Sequence, residues 1–296
     1  MSTPQIRSLT PIRPWRPDGV GCLAALIFPL LCVGVVWRSV PPAPSVAVAW
    51  GDGERLVVAE PGRAMLRRYV LDAGGGSAWR RWGDRLLRCE DGAAGLRIIE
   101  PDGRQRRLPV SARYGRDAYP LGNSVVCSDS SDGAMVDHGD RVESLPGIKA
   151  IEVEPGGRRW ARLADDRWVT VCTGPPTAPT SSRQVYRLPS TWRWCYDWRH
   201  DEVVWADQGR VLSAASPGQQ PRLRFRLSTS NVWSLAIDQH TGDLLAVCGS
   251  YGMGYMVSIP YDSTKPRWRR QCDRGATPIG EWRPADERLL REFTAK

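Results

Sequence analysis

The sequence contains few of the residues from which enzyme and metal sites are usually built. Its 296 residues include only three histidines and two asparagines, and they contain no Cys-x-x-Cys and no Gly-x-Ser-x-Gly pattern. A redox or zinc pair and an α/β-hydrolase nucleophile are therefore unsupported. His138, His200 and His240 all fall in predicted turns, where histidine is ordinary. We predict no catalytic residue, no metal and no cofactor.

Lysine and phenylalanine are also scarce, whereas arginine and tryptophan are abundant. The chain has three phenylalanines and 14 tryptophans, and its formal net charge is +9. This charge suits an anionic protein or lipid surface. We predict no nucleic-acid partner, because the topology predicted below places the main domain outside the cytoplasm.

Charged residues are absent from residues 19–37, GVGCLAALIFPLLCVGVVW. A helix of this length spans about 28 Å, close to the hydrocarbon thickness of a bilayer. Three arginines precede the run and only Arg38 closely follows it, which predicts a cytoplasmic N-terminus and an external main domain. The alternatives are a signal peptide cleaved near Ala47-Val48-Ala49 and a buried helix of a soluble protein.

These features divide the chain into four parts. We predict a cytoplasmic tail at 1–18, a single transmembrane helix at 19–37, a stiff proline-rich spacer at 38–45 and one large domain at 46–296. Within the helix, small residues form a face that suits close packing against another membrane helix. The predicted docking residues on that face are Cys22, Ala25 and Gly34.

After residue 45, short apolar strands alternate with turns rich in glycine and aspartate. The clearest hairpin patterns lie at 49–58, 81–87, 197–204, 236–245 and 281–290, with weaker ones at 125–136 and 151–163. Their turns fall near residues 52, 84, 130, 156, 200, 241 and 285, about 39 residues apart, which is typical of propeller blades. Further strands are predicted at 96–99, 185–188, 211–214 and 255–259.

One of these hairpins resembles a known kind of repeat. Leu235 to Val247, LAIDQHTGDLLAV, followed by Gly254-Tyr255-Met256-Val257, is similar to blades of the β-propeller group, including the NHL, gluconolactonase and quinoprotein types. The resemblance implies an all-β propeller and does not specify an activity.

The number of blades follows from the number of turns. Seven turns favour a seven-bladed propeller. A six-bladed ring with a composite closing blade is the alternative, because the last pattern has room for only two strands before Lys296. A two-sheet sandwich is the non-propeller alternative.

Six cysteines follow the predicted membrane helix: Cys89, Cys127, Cys172, Cys195, Cys248 and Cys272. An even number outside the cytoplasm allows disulfides, and small buried hydrophobic residues are the other interpretation. We place Cys89, Cys172 and Cys248 at equivalent ends of inner strands in different blades, which would keep these three from pairing with one another.

The predicted function is that of a non-catalytic, membrane-anchored accessory, assembly or scaffold subunit of a larger bacterial membrane complex, on its periplasmic face. A respiratory or photosynthetic assembly is a candidate host. The predicted partners are other membrane-protein subunits and, through residues 19–37, the lipid bilayer. The alternative is an enzyme, or a small-ligand or sugar-binding propeller, that uses the central channel.

Basic and aromatic residues mark the predicted protein interface, since tryptophan and arginine are enriched at binding hot spots. The alternative is that these residues are solvated loops and strand edges that block edge-to-edge pairing. The predicted interface residues are Trp192, Trp194, Arg267, Trp268, Arg269 and Arg270.

Overall fold

The structure is a computed structural model that describes most of the chain after residue 41. The described ranges are 42–63, 66–70, 76–90, 95–108, 117–129, 133–190, 193–226, 231–250, 253–273, 275–291 and 293–295. The predicted tail and the predicted helix at 19–37, with Cys22, Ala25 and Gly34, lie outside these ranges. Within the ranges, no helix is long and apolar enough to cross a membrane.

Short strands form six antiparallel sheets in the described part of the chain, and each sheet is one blade. Blade II contains β4 (Gly76–Trp82), β5 (Arg85–Glu90), β6 (Gly95–Ile99) and β7 (Gln105–Leu108). Blade III contains β8 (Asp117–Leu121), β9 (Ser124–Asp129), β10 (Gly133–Asp137) and β11 (Val142–Leu145). Blade IV contains β12 (Ile148–Val153), β13 (Arg159–Ala164), β14 (Trp168–Thr173) and β15 (Ser181–Arg187).

Blades V and VI repeat the same order, with the first strand innermost and the fourth outermost. Blade V contains β16 (Trp194–Asp197), β17 (Glu202–Asp207), β18 (Arg210–Ala214) and β19 (Arg222–Arg226). Blade VI contains β20 (Asn231–Ile237), β21 (Leu244–Ser250), β22 (Met253–Ile259) and β23 (Trp268–Cys272).

Blade I is assembled from both ends of the propeller domain. Its middle consists of β1 (Val48–Asp52), β2 (Arg55–Ala59) and β3 (Leu66–Val70). The C-terminal strand β24 (Thr277–Glu281) pairs with β1, and the short β25 (Thr294–Ala295) pairs with β3. The C-terminal segment therefore covers both edges of the N-terminal strands and closes the ring.

The prediction of seven blades is wrong, and the six-bladed alternative with a composite closing blade is confirmed. The hairpin predicted at 281–290 does not form, because the 3-10 helix η1 (Pro284–Leu290) follows β24. Pro284 cannot donate a backbone hydrogen bond to a sheet and suits the first turn of a helix. The side chain of Asp286 caps this helix by accepting a hydrogen bond from the backbone N of Arg283 at 2.8 Å.

The other predicted hairpins form, but two of them occupy a different place in their blades. The turns near 84, 156, 200 and 241 join first and second strands. The turns near 52 and 130 instead join second and third strands, in blades I and III. Both kinds of hairpin carry the same local sequence signal, since each is a tight turn between apolar strands.

Apolar side chains fill the space between neighbouring blades. Trp79 of blade II, for example, packs in one cluster with Val58 and Ile279 of blade I. Replacing such a buried tryptophan by alanine costs about 3–5 kcal/mol. The prediction that hairpin tryptophans are packing residues is confirmed for Trp50, Trp82, Trp160 and Trp282, all of which are buried.

Hydrogen bonds from backbone N–H groups to side chains connect innermost strands of adjacent blades. Each bond ties the exposed inner edge of one sheet to its neighbour, so the centre of the ring is linked by more than apolar packing. The bonds are Trp79 N to Thr277 Oγ1 (3.2 Å), Tyr196 N to Glu152 Oε2 (2.9 Å) and Glu281 N to Asp238 Oδ2 (2.7 Å).

The six described cysteines are buried and form no disulfide with one another, as the interpretation of small hydrophobic residues predicts. Their predicted equivalence needs one correction, because Cys172 lies on the third strand of its blade. Cys127 instead shares the second-strand position with Cys89 and Cys248. Burial raises the pKa of Cys248 to about 11 and that of Cys272 to about 12.

Candidate functional site

Arg81, His240 and Asp286 form what we call the closure cluster, where η1 meets blades II and VI. Asp286 Oδ1 accepts a hydrogen bond from Arg81 Nη1 at 3.0 Å, and Asp286 Oδ2 lies 3.0 Å from His240 Nε2. The side chains of Arg81 and Asp286 are 2% and 8% exposed. The Arg81 guanidinium lies over the ring of Trp282, 5.5 Å from its centroid. Both carboxylate oxygens are engaged, so the cluster holds the closing segment in place.

The two buried aspartates near this cluster respond differently to their surroundings. Burial by itself would raise the pKa of Asp286, but the hydrogen bond from His240 and the charge of Arg81 lower this pKa to about 2. The pKa of Asp238 is raised, because burial outweighs the backbone hydrogen bonds that this carboxylate accepts. Asp286 is therefore ionised at neutral pH and does not suit the role of a general acid.

A second cluster joins blades V and VI around Tyr261. The rings of His200 and Tyr261 stack with centroids 3.4 Å apart, and the guanidinium carbons of Arg222 and Arg224 lie 4.0 and 4.7 Å from the Tyr261 centroid. Glu202 Oε1 accepts hydrogen bonds from Arg222 at 3.2 Å and from Arg224 at 2.6 Å. The single carboxylate therefore offsets one of the two positive charges at this blade boundary, which is an internal contact.

The three histidines lie in turns, as predicted, and each has a side-chain partner. These partners are Ser124 for His138, Asp197 for His200 and Asp286 for His240. Among the described residues, no group of three or more His, Cys, Asp or Glu side chains is arranged to hold a metal ion.

The predicted interface at 267–270 contains one exposed arginine, two half-buried arginines and a buried tryptophan. Trp268 is 5% exposed and packs in the core between blades VI and I, so it does not belong to an exposed surface. The side chain of Arg267 is 51% exposed and donates a hydrogen bond to Asp243 at 3.1 Å. Arg269 lies over the Tyr255 ring, and Arg270 donates to the backbone O of residue 63.

The two remaining predicted interface residues lie near the start of blade V. Trp194 is half-buried on β16 and packs against the core between blades IV and V. Trp192 lies outside the described residues.

Positive charge is concentrated on what we call the outer rim, the fourth strands β3, β7, β11, β15, β19 and β23. These six strands together contain eleven arginines and a single glutamate, Glu143. Some of these arginines pair with acidic groups of adjacent strands or turns, as Arg67 does with Glu60 and Glu287. In the described part of the chain, no carboxylate lies within ion-pair distance of Arg68, Arg187, Arg226, Arg269 or Arg270.

A groove runs along the rim between blades IV and V, and we call it the IV–V groove. It consists of two adjoining cavities of about 350 and about 310 Å³ that share Tyr186, Arg187 and Pro221. Edge strand β15 forms one wall and blade V forms the other. The groove is also lined by Arg167, Trp168, Trp205, Asp207 and Gln219.

Aromatic rings form the floor of this groove. Tyr186 stacks on Trp205 with ring centroids 4.8 Å apart and an interplanar angle of 21°. Trp205 is only 1% exposed, and its buried Nε1 has no hydrogen-bond acceptor in the described part of the chain. The Nε1 atoms of Trp50 and Trp198 also have no acceptor among the described residues, but neither of these tryptophans lines the groove.

The sheet order and the closure described above define the chain as a six-bladed β-propeller, which confirms the predicted superfamily. Among solved structures it is similar to one chain of a nidogen/laminin complex, with a TM-score of 0.53 and 11% identity over 79% of this chain and 98% of that chain. It is also similar to PorZ, a surface component of the type-IX secretion system of Porphyromonas gingivalis, with a TM-score of 0.43, 14% identity and coverage of 79% of this chain and 33% of that one. No protein-family model and no curated protein matches the sequence. At these identities the likeness shows the fold alone.

The IV–V groove was not predicted from the sequence. Its residues are spread over 167–221. Tyr186 and Arg187 lie on the strand predicted at 185–188, but the sequence did not show that this strand borders a groove. A local signal did exist, because arginine, aromatic residues and proline recur between 186 and 194. Only blade packing shows which of these side chains share one wall.

Proposed function

We propose that this chain is a non-catalytic scaffold whose propeller binds an acidic protein partner, as an accessory or assembly subunit of a larger membrane complex. The observation that carries the proposal is the outer rim, whose strands contain eleven arginines against one glutamate. Of these arginines only Arg224 is buried, and the other ten are half-buried or exposed. Charged residues of either sign are enough to protect strand edges from pairing with other strands. A rim of one sign additionally attracts an acidic surface over a longer range and sets the orientation of encounter.

In this proposal the propeller is held outside the cytoplasm, on the periplasmic face of a bacterial membrane. The uncharged run at 19–37 and the arginines before it support that placement. The helix would dock on a membrane-protein subunit through Cys22, Ala25 and Gly34, because small residues allow two helix backbones to approach closely. A respiratory or photosynthetic assembly is a candidate host.

The first experiment is purification of the full chain from membranes in mild detergent, followed by identification of the chains that co-purify. We compare Arg269→Glu/Arg270→Glu on the rim with Arg141→Glu/Arg158→Glu in exposed turns, which changes the net charge equally. The rim variant should lose an acidic partner that the wild type and the turn variant retain. If the wild type purifies as a lone monomer, or if both variants keep the partner, the scaffold proposal fails.

A second experiment tests the docking helix. The substitutions Ala25→Leu and Gly34→Leu should each release the membrane-protein partner while leaving the chain in the membrane fraction, because added bulk separates the helices. Val33→Leu serves as a matched control, since it keeps the length and hydrophobicity of the segment. Unchanged co-purification of the Ala25 and Gly34 variants would contradict this part of the proposal.

A further inference from the structure

We propose that the IV–V groove is the place where the partner is recognised, and that it binds an extended, acidic peptide segment of that partner. This inference rests on the proposed scaffold function and adds the chemistry of the bound segment. It is carried by two features of the groove: arginines that have no carboxylate partner among the described residues, and a stacked aromatic floor.

Two arginines give the groove its charge. Arg167 Nη1 donates to the backbone O of Pro189 at 2.6 Å, and Arg187 Nε donates to the backbone O of Asp166 at 3.1 Å. Each guanidinium is thereby positioned by one neutral acceptor and keeps its other N–H donors. Guanidinium groups held in this way suit carboxylates, which they can bind with two parallel hydrogen bonds.

The acidic residue in the groove does not neutralise these arginines. Asp207 accepts a hydrogen bond from Arg210 Nη2 at 3.1 Å, within the β17–β18 hairpin. No described carboxylate therefore compensates the charges of Arg167 and Arg187, and charge complementarity favours an anionic occupant.

The aromatic floor favours an extended chain. Tyr186 and Trp168 lie beside Pro221 and Pro189 along the two cavities, and aromatic-lined grooves accommodate proline-containing segments in an extended conformation. Each cavity has a volume in the lower part of the about 300–1,000 Å³ range that ligand pockets occupy. A short peptide segment fits this shape better than a second folded domain does.

Gln219 supplies the polar group that suits the backbone of such a segment. It lies at the other end of the groove, and its amide group both donates and accepts hydrogen bonds.

Strand addition is the less suitable mode of binding at this edge. The pairing of β15 with β14 shifts register between Val169 and Thr170, so Val185 forms a bulge on the outer strand. Bulges disturb the ladder that an added strand would need. Recognition therefore depends on the side chains of the groove, and point substitutions there should be decisive.

The test is fluorescence anisotropy with the full chain in detergent and a labelled (Glu-Pro)5 peptide as the probe. (Lys-Pro)5 and (Gln-Pro)5 measure the contribution of charge, and an oligogalacturonate represents an anionic sugar. The variants are Arg167→Ala/Arg187→Ala and Tyr186→Ala, with Arg106→Ala/Arg107→Ala on blade II as the matched rim control. Circular dichroism verifies that all of them are folded.

We expect (Glu-Pro)5 to bind the wild type and the rim control within twofold of each other. The double arginine variant should raise the Kd at least tenfold and Tyr186→Ala about threefold or more. The inference is overturned if the groove variants bind like the wild type, if (Gln-Pro)5 or (Lys-Pro)5 binds as well, if the oligogalacturonate binds and the peptide does not, or if no probe binds below 1 mM.

The same variants separate this inference from the scaffold proposal. If the partner still co-purifies with Arg167→Ala/Arg187→Ala but is lost from the rim variant Arg269→Glu/Arg270→Glu, the scaffold stands and the groove is not its recognition site. If no partner co-purifies with the wild type, the scaffold proposal itself fails, whatever the peptide measurements give.

Discussion

The closure cluster and the IV–V groove use the same kinds of side chain for different ends. In the cluster, Arg81 lies over Trp282 and donates to a buried carboxylate, Asp286. In the groove, Arg187 adjoins the stacked Tyr186 and Trp205, and among the described residues its side chain donates only to a backbone oxygen. An arginine beside aromatic rings therefore stabilises the fold where it forms an ion pair with a carboxylate of the same chain. Where no described carboxylate pairs with it, its N–H donors are available to a ligand.

The largest effect should come from removing the carboxylate of the closure cluster. Asp286→Ala leaves Arg81 buried without its partner and removes the cap of η1, which should lower the free energy of unfolding by about 3–5 kcal/mol. Guanidinium denaturation followed by tryptophan fluorescence measures this loss. Arg187→Ala in the groove should change stability by less than about 0.5 kcal/mol. Equal losses for the two variants would abolish the distinction between the regions.

Acid should weaken the closure cluster selectively. The pKa of Asp286 is lowered from 3.8 to about 2 in the folded state, so the carboxylate contributes stability above pH 4 that is lost as the pH falls through about 2. The contribution is about 2 kcal/mol. The stability difference between wild type and Asp286→Asn should therefore shrink between pH 5 and pH 2.5, whereas Arg187→Ala should parallel the wild type. A difference that is constant over this range would argue against the assignment.

Trp205 of the groove and Trp79, a core residue between blades I and II, should differ in their contribution to stability by about one hydrogen bond. Trp79 Nε1 donates to the backbone O of Gly53 at 3.0 Å, whereas Trp205 Nε1 has no acceptor in the described residues. Both substitutions to phenylalanine remove the same volume, so Trp79→Phe should cost about 1 kcal/mol more than Trp205→Phe.

Trp160→Phe provides the control for this comparison. Its Nε1 donates to the backbone O of Gly174 at 2.9 Å, so this variant should behave like Trp79→Phe in thermal and chemical denaturation. A Trp205→Phe variant that is as unstable as the other two would show that its indole N–H is satisfied in solution.

The smallest effect concerns thiol chemistry and leaves stability unchanged. Because burial raises the pKa of Cys248 to about 11 and that of Cys272 to about 12, little thiolate should form at pH 8. Iodoacetamide should therefore label these cysteines slowly in the native chain and fully in denaturant, as peptide mass spectrometry can measure. Rapid native labelling of either one would place it on an accessible surface like that of the groove.

Much of the fold could be predicted from local patterns. The hairpins near 84, 156, 200 and 241 were found because turn residues and alternating apolar residues are written in consecutive positions. The last hairpin was mispredicted because Trp282-Arg283-Pro284 resembles the earlier turns locally, while Pro284 and the cap from Asp286 favour a 3-10 helix. The place of the hairpins near 52 and 130 in their blades was missed for the same reason. A local turn signal does not show whether a strand is the first or the second of its blade.

The candidate site was less predictable than the fold. The basic cluster at 267–270 was predicted to be an interface. In the structure Arg267 is exposed, but Trp268 is only 5% exposed and lies within the core. Alternation along β23 places neighbouring side chains on opposite faces, and which face is covered depends on blade I. The groove pairs Tyr186 with Trp205 across two blades, and no local pattern reports such a contact.

By itself, the sequence determined the short strands, their turns, the spacing of the blades and an excess of positive charge, because each of these properties resides in neighbouring residues. Only the tertiary structure decided the number of blades, since closure depends on β24 pairing with β1 from the opposite end of the domain. It also decided which arginines lie close enough to a carboxylate to form an ion pair. Those outcomes depend on distances between blades, and these distances are set by the packing of the whole ring.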